Sequence, residues 1–310
     1  MDNLRGRDFL SLADITPAEL QQILGAAQAQ KRMWSRGTRN APLAGKAVAL
    51  IFQKPSMRTR VSFELACVRL GAHPVVMSGD DSAFSRSESV YDTTKVLERY
   101  CDAIVIRTFA QSMVEEIAEV ASVPVINALT DEHHPCQGLA DLLTIEEHLG
   151  RLAGVKLAYV GDGNNMAHTY LLGGALAGMD VRIATPPGLE PLAAIVEQSR
   201  AFADQTGGKI SLTHEPVEAV SGADVVLTDT WASMGQEEEH AARLAACSPY
   251  QVNPLLMSHA SDRALFLHCL PAHRGEEVVD EVIDAPYSVV FDEAENRLHA
   301  QKALLSLLLG

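Results

Sequence analysis

Ser56-Met57-Arg58-Thr59-Arg60 sets two guanidinium groups and two hydroxyls within one helical turn, between the apolar run 46–52 and the amphipathic run 61–70. If a buried strand ends there and a helix begins, the first backbone N–H groups of that helix point outward unpaired. Such an end attracts oxyanions, and Arg58 and Arg60 add bidentate charge suited to a phosphate. The alternative is a capping Ser56 beside two solvated arginines. Arginine opposes the positive end of a helix dipole, so two of them there call for an anion to complete the charge balance.

Other polar groups also follow apolar runs. Arg107 and Thr108 come after 102–106, and His133, His134 and Gln137 after 123–127. His134 and Gln137, three apart at a helix start, can present an imidazole and an amide to one small ligand; a lone histidine would equally suit a packing role. Further on stand Gly161-Asp162-Gly163-Asn164-Asn165, Asp229-Thr230-Trp231-Ala232-Ser233-Met234-Gly235 and His268-Cys269-Leu270-Pro271. Ligands bind beyond the carboxyl ends of strands in open parallel sheets, which makes all of these candidate substrate groups. Gly161-x-Gly163 is an incomplete dinucleotide fingerprint, because Met166 holds the third glycine position and the strand at 181–185 does not end in an acid. Neither a nucleotide cofactor nor a metal is expected. The acidic run 237–239 reads as a solvated face or loop, and Cys269 by itself as a small buried hydrophobe.

The elements that must position these groups follow from the spacing of apolar runs at 46–52, 73–78, 102–106, 123–127, 155–160, 180–184, 209–213, 223–228, 264–268 and 288–291. Alternation with amphipathic stretches argues for an α/β fold of parallel sheets covered on both faces. A chain of 310 residues accommodates two such domains. Residues 134–148 fit a helix that bridges them, with Gly150 and Gly154 as punctuation before the next strand. Residues 296–309 fit a last helix that packs back on the first domain. The expected division is 1–147 with 296–310, and 148–295.

With 47% hydrophobic and 21% charged residues the chain is globular in composition. A net charge of −15 repels a nucleic-acid backbone, so an anionic substrate must be drawn in by local arginines. No run approaches the ~18 apolar residues of a membrane span, and the polar start does not resemble a signal peptide. The five cysteines stand singly, without the spacing of a disulfide framework or thiolate zinc site. A soluble, cytoplasmic protein with no nucleic-acid or membrane partner is expected.

Together the motifs resemble the aspartate/ornithine carbamoyltransferase family over essentially the whole chain. Ser56-Met57-Arg58-Thr59-Arg60 resembles its Ser-Thr-Arg-Thr-Arg signature, His134-Pro135-Cys136-Gln137 its His-Pro-x-Gln signature, and Glu295-Asn296-Arg297 its C-terminal arginine motif. The segments at 162–165, 229–235 and 268–271 resemble the ornithine branch. The resemblance implies two parallel-sheet α/β domains joined by helices, an active site in the interdomain cleft, and a homotrimer or an assembly of trimers. It implies carbamoyl transfer from carbamoyl phosphate to the δ-amine of L-ornithine, giving L-citrulline and phosphate, with no cofactor. Carbamoyl phosphate would be held by Ser56, the Met57 N–H, Arg58, Thr59, Arg107, His134, Gln137, Cys269, Leu270 and Arg297. Ornithine would be held by Asn165, Asp229, Ser233 and Met234. Catalytic roles would fall to Arg58, Arg107, His134, Asp229 and Cys269.

Chemistry agrees with that assignment. Attack of a neutral amine on the carbamoyl carbon creates an oxyanion, which fixed donors such as Thr59, Arg107 and His134 stabilise. Holding both substrates adds a proximity term, and closure of the loop at 233–239 would gate the reaction. Two departures stand out. Met57 replaces the usual threonine, and Ala83 stands where many ornithine enzymes carry a glutamine that reaches a neighbouring subunit; Ser82, Ser85 or Arg86 would have to substitute. Putrescine or an N-acylated ornithine remain alternative acceptors, although an acylated nitrogen would leave Asp229 unpaired at a cost of about 1–3 kcal/mol. A non-catalytic phosphate-ligand sensor is the reading from another class, and the presence of both half-sites argues against it.

Overall fold

The computed structural model describes residues 4–79, 84, 88–231 and 240–310. The chain divides into two compact units, Met1–Leu143 with Glu295–Gly310, and Thr144–Ala294.

The elements of the first unit are α1 (Pro17–Ser35), β1 (Ala47–Phe52), α2 (Met57–Leu70), β2 (His73–Ser78), α3 (Val90–Tyr100), β3 (Ala103–Arg107), α4 (Gln111–Val120), β4 (Val125–Leu129) and the start of α5 (Pro135–Leu149). All four strands are parallel, in the order β2-β1-β3-β4. The central strands β1 and β3 are apolar without alternation because helices cover both faces. β2 lies at the edge, where Pro74 costs no ladder bond on its open side. Ala49, Ile51, Ile104 and Ile106 pack against Leu97 of α3 and Val114 and Ile117 of α4. Each fully buried Ile or Val there contributes roughly 1.5–3 kcal/mol. The chain leaves β1 toward β2 and returns on the other side as β3, so the loops after β1 and β3 diverge and open a crevice at their carboxyl ends.

In the second unit come β5 (Lys156–Val160), α6 (Asn165–Leu176), β6 (Asp180–Ala184), α7 (Ala193–Thr206), β7 (Lys209–Thr213), α8 (Pro216–Val220), β8 (Val225–Thr228), α9 (His240–Cys247), α10 (Pro254–Met257), β9 (Leu265–His268) and α11 (Asp280–Ile283). The sheet is again parallel, in the order β7-β6-β5-β8-β9, with its switch point between β5 and β8. Ala158, Val160, Val226 and Phe266 form its core with Val220, Val252, Val278 and Val282.

The last helix, α12, runs Val290–Leu309 and so begins six residues before the expected 296. Correspondingly, the apolar run 288–291 is not a strand. Ser288 makes a single bridge to Phe266 of β9, after which Asp292 and Glu293 supply the acidic first turn that a helix start favours. Among the described residues no helix is long and apolar enough to cross a membrane.

Candidate active site

Ser56 caps α2, its Oγ accepting the Thr59 N–H at 3.2 Å. Thr59 is buried and takes a second bond from α12, where Arg297 donates Nη2–H to Thr59 Oγ1 at 3.0 Å. The other terminal nitrogen of Arg297 donates to Gln137 Oε1, and Gln137 Nε2 donates to Asp141 at 2.7 Å. One guanidinium thereby fixes a hydroxyl at the start of α2 and an amide at the start of α5. Arg107 ends β3, where the β3–β4 register shifts between Ile106 and Arg107. The loop leading to His134 is tied down by Thr130, which donates to Gln111 at 2.8 Å and accepts the His133 N–H at 3.1 Å.

His134 is 4% exposed. Burial first, then the positive charges of Arg297, Arg107 and Arg58, hold its imidazole well below the usual histidine range. It is therefore neutral at neutral pH and carries one N–H, while the guanidinium groups supply the charge. Lys54, also buried, pairs with Asp131 and lies 4.3 Å from the Phe109 ring, joining the loop after β1 to the loop after β4. Arg60 faces the open side of α2 and pairs with Glu64 at 2.8 Å, so this second guanidinium of the motif is engaged on its own helix. With Ser56, Met57 and Val61 it lines a cavity of about 540 Å³.

The second unit gathers a different set. Asp229 follows β8 and is 8% exposed. Asn164 caps α6 through Oδ1, which accepts the Met166 N–H at 2.9 Å, and turns its Nδ2–H to Asp229 Oδ2 at 2.9 Å. The Cys269 thiol donates to Asp229 Oδ1 at 3.1 Å, so Cys269 is a half-buried polar partner rather than a buried hydrophobe. Leu270 sits at φ 57°, a left-handed conformation unusual for a branched side chain. Its N–H donates to His268 Nδ1 at 2.9 Å, which puts the imidazole proton on Nε2, 3.1 Å from Glu277 Oε1. His268 and Glu277 thus brace the carbonyls of the Cys269-Leu270 segment. Arg243 of α9 pairs with Asp162 at 2.6 Å.

Of the residues expected to hold carbamoyl phosphate, Ser56, Met57, Arg58, Thr59, Arg107, His134, Gln137 and Arg297 lie in the first unit. Cys269 and Leu270 lie in the second, with Asn165 and Asp229. Ser233 and Met234, the acidic run 237–239, and Ser82, Ala83, Ser85 and Arg86 lie outside the described residues. Sequence reasoning picked out the segments that hold Asn164 and His268 without assigning either residue a role, and it passed over Lys54 and Arg243. Asn164 had a local signal, an asparagine just before an apolar helical run; Lys54 and Arg243 find their partners 77 and 81 residues away, beyond any local pattern.

A family model described as the carbamoyl-P binding domain of aspartate/ornithine carbamoyltransferase matches residues 7–147, and one described as the Asp/Orn binding domain matches 153–308. The ornithine carbamoyltransferase of Carboxydothermus hydrogenoformans is 56% identical over 306 residues, 99% of this chain and 98% of that protein. The anabolic ornithine carbamoyltransferase of Pyrococcus furiosus is 51% identical over 99% of this chain and 98% of its own. A solved structure of ornithine carbamoyltransferase from Pyrococcus furiosus superposes with a TM-score of 0.97 at 50% identity, covering 100% of this chain and 99% of that one.

Proposed function

Because the chain belongs to the aspartate/ornithine carbamoyltransferase family, we propose that it transfers the carbamoyl group of carbamoyl phosphate to the δ-amine of L-ornithine, giving L-citrulline and phosphate. The observation that carries this reading is the buried, neutral His134 in the field of Arg58, Arg107 and Arg297. Three guanidinium groups suit a phosphate, and a neutral imidazole can donate to a carbonyl oxygen.

The first unit, taken with its boundaries at 147 and 296, binds carbamoyl phosphate. Ser56, the Met57 N–H, Arg58, Thr59 and Arg107 hold the phosphate, Gln137 takes the carbamoyl amide, and Arg297 fixes both Gln137 and Thr59. The second unit, 148–295, binds ornithine. Asp229, oriented by Asn164 and Cys269, suits the α-ammonium, with Asn165, Ser233 and Met234 completing the acceptor site. The carbonyls of Cys269 and Leu270 hold the carbamoyl nitrogen. Ornithine as acceptor is supported by the names of relatives that match from end to end, and the biosynthetic direction by those named anabolic.

In the reaction the δ-amine lone pair forms the new C–N bond and the C–O bond to phosphate breaks. Charge that builds on the carbamoyl oxygen is met by Thr59, Arg107 and His134, the largest expected contribution to rate. The departing phosphate, neutralised by Arg58 and Arg107, accepts the amine proton, so no separate base is required.

A homotrimer, alone or in a larger assembly, belongs to the same proposal. Met57, Val61, Leu65 and Val68 form an exposed apolar stripe along α2, beside the expected phosphate site. A cytoplasmic location is supported by five cysteines that are all free thiols, which suits a reducing compartment. The test is a product assay with ornithine, putrescine, N-acetylornithine and aspartate as acceptors. Citrulline from ornithine with the highest kcat/KM is expected; preference for another amine would overturn the assignment of Asp229.

A further inference from the structure

Arg243 donates Nη1–H to Asp162 Oδ2 at 2.6 Å, and both side chains are mostly out of water, at 18% and 9% exposed. Asp162 lies in the turn between β5 and α6. Its carbonyl accepts the Tyr159 hydroxyl at 2.8 Å, and the same hydroxyl lies 3.2 Å from Asn164 Oδ1. Asn164 in turn donates to Asp229. The guanidinium therefore anchors one end of a connected polar chain whose other end is the carboxylate assigned to the substrate α-ammonium. The groups that act on Asp162 are Arg243 and Cys247 from α9, Asp229 after β8 and Tyr159 from β5. Asp162 and Asp229 repel one another, and Arg243 supplies the countercharge that such a pair of carboxylates needs.

We propose that Arg243, acting through Asp162, is a positioning residue for the amino-acid substrate: it fixes the β5–α6 turn so that Asn164 holds Asp229 toward the substrate α-ammonium. This rests on the ornithine reading above. Arg243 acts on binding of the amino acid and not on the carbamoyl-phosphate residues of the first unit, so its loss raises KM for ornithine selectively. Burial, reinforced by Asp229, pushes the Asp162 carboxyl up to about 6 against the pull of Arg243 and the Gly163 N–H. Protonation of Asp162 discharges the pair, which weakens amino-acid binding below that pH. Removing Arg243 takes away a lowering influence, so the weakening then sets in at higher pH.

The test uses the full-length enzyme with Arg243→Gln, Arg243→Lys and Asp162→Asn. L-Norvaline serves as the probe, because it keeps the α-amino acid end and lacks the δ-amine whose own titration would obscure the profile. Arg243→Gln is expected to raise KM for ornithine and Ki for norvaline about tenfold, with KM for carbamoyl phosphate within about twofold. Arg243→Lys is expected to recover most of the loss. The wild-type norvaline Ki weakens below about pH 6, the break moves to higher pH in Arg243→Gln, and it disappears in Asp162→Asn. An unchanged ornithine KM in Arg243→Gln, or an equal rise in both substrate KM values, overturns the inference. Should Arg243→Gln fail to fold, a wild-type norvaline Ki that stays flat from about pH 5 to about pH 8 overturns it as well. A wild-type enzyme that carbamoylates no ornithine overturns the functional reading itself, a result distinct from a normal wild type with an indifferent Arg243 variant.

Discussion

Arg297 joins the starts of two helices that are remote in sequence. Its Nη1–H donates to Gln137 Oε1 across 160 residues, and its Nη2–H reaches Thr59 Oγ1 at 3.0 Å. All three side chains are at most 3% exposed, so water does not replace a lost bond cheaply.

Arg297→Met should therefore cost about 1–3 kcal/mol of stability, from the acceptors left on Gln137 and Thr59. It should also raise KM for carbamoyl phosphate about tenfold or more, because both groups lose their fixed orientation. Arg297→Lys should rescue little, since an ammonium lacks the planar fork that serves two acceptors. Thermal melting and steady-state kinetics check both; an unchanged KM would remove Arg297 from the site.

His134 should stay neutral through the working range. Burial and three guanidinium groups depress its proton affinity, so its ring resonances in the free enzyme should show no titration between about pH 6 and about pH 8. Saturation with phosphate should raise its midpoint, because a bound anion favours the charged form. The stability sign follows from the same depression. Below about pH 6.5 the unfolded chain takes up a proton that the folded chain refuses, so this group removes stability as pH falls. Asp162, raised to about 6, acts in the opposite sense between about pH 4 and about pH 6. A His134 midpoint at or above the ordinary value would contradict the neutral-donor role, and His134→Gln should lower kcat by about a hundredfold.

Much of the fold is legible because buried parallel strands read as uninterrupted apolar runs. Ala47–Phe52 and Ala103–Arg107 declare themselves in this way. The same logic fails at 288–291, because three consecutive apolar residues, Val289, Val290 and Phe291, look alike at a strand and at a helix start, and periodicity cannot separate them. The strand-end rule leads to Arg107, the last residue of β3, and to Ser56, His134, Asp229 and Cys269 in the segments that follow β1, β4, β8 and β9. What it cannot supply is the set of partners that orients them. The pairing of Lys54 with Asp131 and of Arg243 with Asp162 depends on which loops the sheet order brings together, and no local pattern encodes that order.

Gly163 is required by space. A Cβ there would lie 2.3 Å from the Leu189 carbonyl oxygen and 2.5 Å from Pro191 N, both backbone atoms that cannot swing aside. Gly163→Ala should displace the β5–α6 turn and destabilise the protein by about 1–3 kcal/mol. Because Asp162 and Asn164 flank it, the ornithine KM should rise while the carbamoyl-phosphate KM stays within about twofold. Denaturant melts and two-substrate kinetics decide; equal effects on both substrates would mean a general loss of structure.

The apolar stripe on α2 gives the assembly a direct test. Met57, Val61, Leu65 and Val68 recur at spacings of four, four and three, one face of a helix, and all stay exposed on the isolated chain. If a second copy covers this face, Val61→Glu buries an unpaired carboxylate at the contact, a change that costs several kcal/mol per site and outweighs most single-contact gains. Sedimentation should then move from three chains in the wild type to one in Val61→Glu, with far-ultraviolet circular dichroism unchanged because the position is open to water within the chain. Loss of activity should accompany dissociation, since Ser56 and Met57 stand at the same helix end as the stripe. A wild type that sediments as a single chain ends the trimer proposal, and a variant that keeps the wild-type mass moves the interface to another face.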